Sequence, residues 1–214
     1  MIRYVCVSDL HLGAPNSLLS HVPRGADDVD VSAPSRVLEA VAACLADLLA
    51  EVNGQDGPEP DLILNGDILE LALADDDEAI GTFEHFVRTM WAAGARFGRI
   101  VYLPGNHDHH LWETSREEAY AAYVANRPVG EPLRRTVHAT PTFEPVPLPG
   151  FSSSLLDAVV TRELQNRAPE VDIRYPLFGL RTTAGDRDVL IHHGHFGEPV
   201  YQLEELGLLR LFDS

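Results

Sequence analysis

Short continuous apolar runs alternate with longer stretches of helical periodicity along the first half of the chain. Residues 2–8 are rich in β-branched and aromatic side chains and predict a first strand. Leu62-Ile63-Leu64 and Ile100-Val101-Tyr102-Leu103 are too short and continuous for amphipathic helices and predict two more buried strands. Residues 14–34 are broken by Pro15, Pro23, Gly25 and Pro34 and predict a loop. Ser35 is a suitable N-cap for a helix whose stripe is Val37, Val41, Cys44, Leu45, Leu48 and Leu49. A second helix over 77–93 turns Ile80, Phe83, Phe86, Val87 and Met90 inward. Beyond residue 108 helices are predicted over 113–125, 152–167 and 201–212, with 127–150 irregular and 145–149 extended. Residues 175–182 and 187–192 should pair as strands through a turn at Ala184-Gly185-Asp186. Strand, helix, strand, helix, strand is the order of an α/β domain built on βαβ units, whose active sites lie beyond the carboxyl ends of the strands.

At 214 residues the chain suits a single domain over 1–214, with 127–180 available as a cap or substrate-binding insertion. A 45% hydrophobic and 23% charged composition is ordinary for a soluble globular protein. No apolar stretch approaches the roughly 18–20 residues that cross a bilayer, and residues 1–7 are too short for a signal segment. Cys6 in the first strand and Cys44 in the first helix make no disulfide framework and are expected as buried, reduced thiols, which fits a cytoplasmic setting. The net charge of -17 sets a field that repels polyanions, so extended nucleic acid is a poor substrate class. The oligomeric state is not legible.

The chemistry-bearing residues stand at the ends of the strand runs. Asp9-Leu10-His11 follows the first, Gly66-Asp67 the second, Gly105-Asn106-His107-Asp108 the third, and His192-His193-Gly194-His195 a fourth run, residues 188–191. Asp9 and His11 are two apart on a loop and can face one ion. Gly66 allows close backbone approach beside Asp67, whose two carboxylate oxygens can bridge two ions. Asn106 offers a neutral carbonyl oxygen, and His193 an imidazole; His192 is adjacent and could in principle serve instead. Mixed oxygen and nitrogen donors suit manganese, iron or zinc better than calcium or a lone magnesium. Two divalent ions with Asp9, Asp67 and one hydroxide carry about +1, which favours a phosphate group spanning the pair. His107 could protonate the leaving oxygen, with Asp108 orienting its ring.

Asp9-x-His11, Gly66-Asp67 and Gly105-Asn106-His107-Asp108 resemble the first three blocks of the calcineurin-like metallophosphoesterases, and His193-Gly194-His195 resembles the fourth. The resemblance implies an αββα sandwich of two mixed sheets flanked by helices. It implies one ion on Asp9, His11 and Asp67, a second on Asp67, Asn106 and His193, a metal-bridging hydroxide as nucleophile, and His107 as general acid. The substrate it implies is a small or medium-sized phosphorylated molecule. Asp9-Leu10-His11-Leu12 and Gly66-Asp67-Ile68-Leu69-Glu70 resemble the branch containing UDP-2,3-diacylglucosamine pyrophosphatases, although the lipid A enzymes of that branch usually carry arginine where this chain has His107. The pattern also selects His193, immediately before the glycine, over His192. The family's closing Gly-His-x-His block has no counterpart after His195. The chain is therefore expected to be a C-terminally incomplete fragment, the alternative being a degenerate, non-catalytic binding or regulatory module of the same fold.

The remaining candidates weigh less. His195 is open to a contact with substrate or a structural role, and one of His109 and His110 to lining the pocket. His21, His85 and His138 have no partners at ligand spacing. Asp75-Asp76-Asp77-Glu78 reads as a negative helix start. Glu70 stands between a supporting role behind the ligands and a plain loop carboxylate.

Overall fold

The computed structural model describes residues 1–54, 57–143, 151–181, 185 and 187–197. The expected last helix over 201–212 and the extended stretch at 145–149 lie outside the described residues, as do Ala184 and Asp186 of the expected turn.

The first half follows the alternation of its apolar runs: β1 (Tyr4–Val7), α1 (Arg36–Asn53), β2 (Asp61–Asn65), α2 (Asp76–Ala93), β3 (Arg99–Leu103) and α3 (His110–Asn126). There follow α4 (Ser154–Leu164), a short 3-10 turn, β4 (Glu170–Ile173), β5 (Phe178–Arg181) and β6 (Asp188–Ile191). β1 to β4 form a parallel sheet in the order β1-β2-β3-β4, and β5 and β6 an antiparallel pair. The architecture is the α/β one expected, two sheets with flanking helices. Ser35 caps α1 as its chemistry suggests, its hydroxyl accepting from the Leu38 N–H at 3.1 Å.

Side-chain alternation along β2 and β3 explains why their sequences read as continuous apolar runs. Leu62, Leu64, Ile100 and Tyr102 join the core beneath the helices, with Phe83, Phe86 and Met90 of α2. The alternate residues Ile63, Val101 and Leu103 pack against Phe178 of β5 in a second, smaller core between the sheets. A strand buried on both faces has no polar row to display.

Three expectations need correction. The core face of α1 is Leu38, Ala42 and Leu49 with Leu45 beside them; Val37, Val41, Cys44 and Leu48 lie on the exposed side. Both rows are apolar, so periodicity alone could not choose between them. Cys6 is exposed too. It pairs in register with Ile63 and so faces the second-sheet side, where β5 and β6 cover β2 and β3 but not the edge strand β1. Finally, β4 has no counterpart in the elements predicted. Its Val171 and Ile173 enter the main core, while Asp172 and Arg174 are buried as an ion pair at 2.6 Å, so its polar positions gave no sign of burial. Within the stretch 127–180, α4 packs beside α2 and β4 extends the first sheet along β3. No helix among the described residues is long and apolar enough to cross a membrane.

Candidate metal centre

The loops that leave β1 and β2 are zipped together by backbone hydrogen bonds. Asp9 N–H donates to Gly66 C=O at 3.0 Å, His11 to Asp67 at 2.9 Å, Leu12 to Ile68 at 2.8 Å, and Glu70 back to Leu12 at 3.0 Å. Within this zipper Asp9, His11 and Asp67 all adopt left-handed backbone, with φ of 54°, 46° and 51°. Such a conformation costs a non-glycine residue of order 1–3 kcal/mol and persists only where the surroundings enforce it, commonly at functional sites. Here it falls on three of the expected ligands.

Two glycines make room for the side chains. A Cβ at Gly66, where φ is 79°, would stand 2.3 Å from the His193 ring, and one at Gly105 would stand 2.3 Å from Asp67 Oδ1. The imidazole and the carboxylate thus rest directly on backbone, which the glycines of the second and third blocks permit.

Asp67 is buried and central. Its Oδ1 accepts the His107 backbone N–H at 2.9 Å. Its Oδ2 lies 3.2 Å from His193 Nε2 and 3.9 Å from His11 Nε2. The other nitrogen of each ring is committed elsewhere: His193 Nδ1 donates to Asn65 C=O at 3.1 Å and His11 Nδ1 to Glu70 at 2.8 Å. Both Nε2 atoms thus face the Asp67 carboxylate, an arrangement in which one cation could be held by imidazole and carboxylate together. Donor atoms of Asp9, Asp67 and His193 converge within 4.8 Å of one another, as do those of His11, Asp67 and His107, with Asp67 common to both groups. The residues present thus fit divalent ions, with mixed oxygen and nitrogen donors. The grouping sets Asp9 beside His193 and His11 beside His107, a different division from the one the resemblance implied. Asn106 is half-buried on the same loop, between Gly105 and His107.

The orienting contact expected of Asp108 belongs to another residue. His107 Nδ1 is hydrogen-bonded to Glu70 Oε1 at 2.6 Å, and this pairing holds the imidazole above its ordinary pKa. Glu70 spans His107 and His11 with its two oxygens. Burial works to raise its carboxyl, but the hydrogen bonds from His107 and His11 prevail and keep it below the usual range. The only hint in the sequence was its place three residues after Asp67. Asp108 is instead a buried clamp: it accepts the N–H groups of Ile68 at 2.9 Å and of Gly105, and the Tyr102 hydroxyl at 2.6 Å. Burial raises its carboxyl above the usual range and, with the adjacent carboxylate, keeps the Tyr102 hydroxyl protonated.

His195 was open to a substrate contact, but the structure buries its ring. It sits 5.5 Å from the His193 ring and 5.9 Å from that of His109, beside Tyr175. Burial, with His193 close by, pushes its imidazole down to about 4. His192 is exposed, and its carbonyl accepts from the Asn65 side chain. His85 binds the Val31 carbonyl from within α2, and His21 and His138 lie away from the centre, near Asp30 and Arg116.

No characterised protein matches the chain significantly. A family profile does: that of the calcineurin-like phosphoesterases matches residues 2–213, nearly the whole length. With that match and the strand-end donors described above, the chain belongs to the calcineurin-like phosphoesterase family.

Proposed function

We propose that this protein hydrolyses a phosphoester or diphosphate bond in a small or medium-sized substrate at a two-ion centre. The observation that carries the reading is the position of Asp67, whose Oδ2 is faced by the Nε2 atoms of both His193 and His11. Asp9, His11, Asp67, Asn106 and His193 would hold the ions, for which manganese suits the donor set best and iron or zinc are alternatives. Divalent ions held there supply a polarised phosphoryl group and water acidified toward neutral pH.

The chain's own residues supply the rest. His107 carries the leaving-group proton: Glu70 occupies its Nδ1, so Nε2 is the atom that can release a proton to the departing oxygen. Glu70 sets the planes of the His107 and His11 rings together, coupling proton delivery to ligand placement. Asp108 fixes the loops that carry Asp67 and His107 to each other. Residues 1–12 and 61–70 favour a place near the UDP-2,3-diacylglucosamine pyrophosphatase branch, while His107 argues against the lipid A precursor itself. The acidic balance argues against extended nucleic acid, and the free thiols fit a cytoplasmic setting.

The test is hydrolysis of bis(p-nitrophenyl) phosphate with added Mn2+. Activity should fall to background in Asp67→Ala and by about 10²–10⁴-fold in His107→Ala. If metal-loaded protein shows no activity that these two substitutions remove, the domain is a non-catalytic module.

A further inference from the structure

A cavity of about 800 Å³ opens beside the candidate metal centre, within the size range of small-molecule sites. Its inner end is polar and belongs to the centre: Asp9, His11, Glu70 and His107 line it. Its outer wall is aliphatic, formed by Leu18 and Pro15 of the loop after β1, Val37 and Val41 of α1, and Leu73 of the loop before α2. Leu18 is 76% exposed, Leu73 83%, and Val37 and Val41 each 41%. Single exposed aliphatics mean nothing, but four that converge on one cavity mark a surface that binds apolar matter.

We infer that this groove receives the apolar organic group of the substrate, so that the substrate class is an amphipathic phosphoester with an alkyl chain, bound as a free monomer. The inference rests on the phosphoesterase reading for the position of the phosphate. Two features argue against other occupants. Among the described residues the lining holds the carboxylates of Asp9 and Glu70 and no arginine, so a second anionic group would meet carboxylates with no guanidinium to offset them. A sugar or nucleobase would need hydrogen-bonding partners, and the Ser17 hydroxyl in the lining is already committed: its Oγ donates to Leu10 C=O at 2.7 Å and accepts from Leu19 N–H. Among the described residues Asn16 is the one side-chain amide in the lining. An alkyl chain asks for none of these partners and gains by leaving water.

The experiment titrates a series of n-alkylphosphonates, methyl to octyl, into Mn2+-loaded protein below their micelle-forming concentrations. Affinity should tighten by about fourfold per methylene, the ordinary transfer gain, until the groove is filled. The double variant Leu18→Asp, Leu73→Asp should flatten that gradient; both side chains are exposed, so the fold should tolerate the change, and the wild-type series is decisive even where it does not. Equal affinities for methyl- and octylphosphonate would overturn the inference, as would a gradient undiminished in a folded variant. Hydrolysis is read separately on methyl and octyl p-nitrophenyl phosphodiesters. A binding gradient without any hydrolysis keeps the groove and sinks the phosphoesterase reading, whereas hydrolysis with flat binding does the reverse.

Discussion

β2 and β3 are buried on both faces, whereas three of the four residues of β6 are exposed, yet both sheets deliver donors to the same carboxylate. The first sheet holds its site residues by redundancy. The loop zipper, three left-handed backbone positions and the Asp108 clamp all constrain Asp9, His11, Asp67 and His107 at once. The second sheet offers His193 from the end of a two-stranded ribbon, steadied by its bond to Asn65 C=O and by the small Phe178 core. One side of the centre is thus preorganised by the fold and the other is lightly tethered. The difference predicts that damage to the first side shows as instability, and damage to the second as loss of an ion.

The largest effect should come from Asp108→Ala. It leaves the buried donors of Ile68, Gly105 and Tyr102 without their acceptor, each such loss costing about 1–3 kcal/mol. A total of about 3–5 kcal/mol lowers the thermal midpoint of a chain this size by about 10 °C. Thermal unfolding of the metal-free protein measures it, and a change under about 3 °C would mean that the clamp is not what joins the two loops. His193→Ala is the complementary cut. Elemental analysis should find one ion in place of two, while the metal-free midpoint moves by only a few degrees, at about 2–4 °C per kcal/mol. If both ions stay, His193 is not a ligand.

What the sequence made legible was local. Each donor block directly follows a strand run, so position in sequence and position at a sheet end coincide, and the expected ligands could be named without knowing how the strands pair. Contacts that depend on pairing were not legible. Glu70 meets His11 because Glu70 N–H returns to Leu12 C=O and brings its loop beside the first, and it meets His107 because Asp108 ties the third loop to Ile68. The exposure of Cys6 depends on how far the second sheet reaches, and that of Val37 and Val41 on which of two apolar rows α1 presents. β4 hides because Asp172 and Arg174 satisfy each other inside the protein, so a buried strand reads as half polar.

Glu70→Gln sharpens the comparison from within the first side. The amide keeps the volume but cannot accept from both imidazoles through charged oxygens, so ring placement loosens while Asp67 and the loop zipper remain. Losses of supporting partners of this kind reduce metal affinity or activity by about 10–100-fold. The expected signature is a fall in kcat together with weaker binding of one ion, at a nearly unchanged thermal midpoint. A drop in stability matching that of Asp108→Ala would make Glu70 a structural clamp instead.

The smallest effect lies far from both sides, where α4 is latched to α2 by Arg88–Glu163 at 2.6 Å and Arg162–Glu84 at 2.8 Å. Both arginines are well exposed, and such pairs contribute about 0–1 kcal/mol. The hydrogen bond from Arg88 holds the Glu163 carboxyl below the usual range, against a smaller push upward from burial. A carboxyl lowered on folding adds stability that is present above its unfolded value and is lost as pH falls through the folded one. Glu163→Gln should therefore lower the midpoint by about 1–3 °C at pH 7. The gap between variant and parent should narrow once pH falls below the ordinary glutamate range and close only below the lowered folded value, where the parent carboxylate is itself protonated. A deficit that persists where the parent carboxylate is fully protonated would place the contribution of Glu163 in packing, not charge, alongside the buried Leu156, Val159, Val160 and Leu164 face of α4.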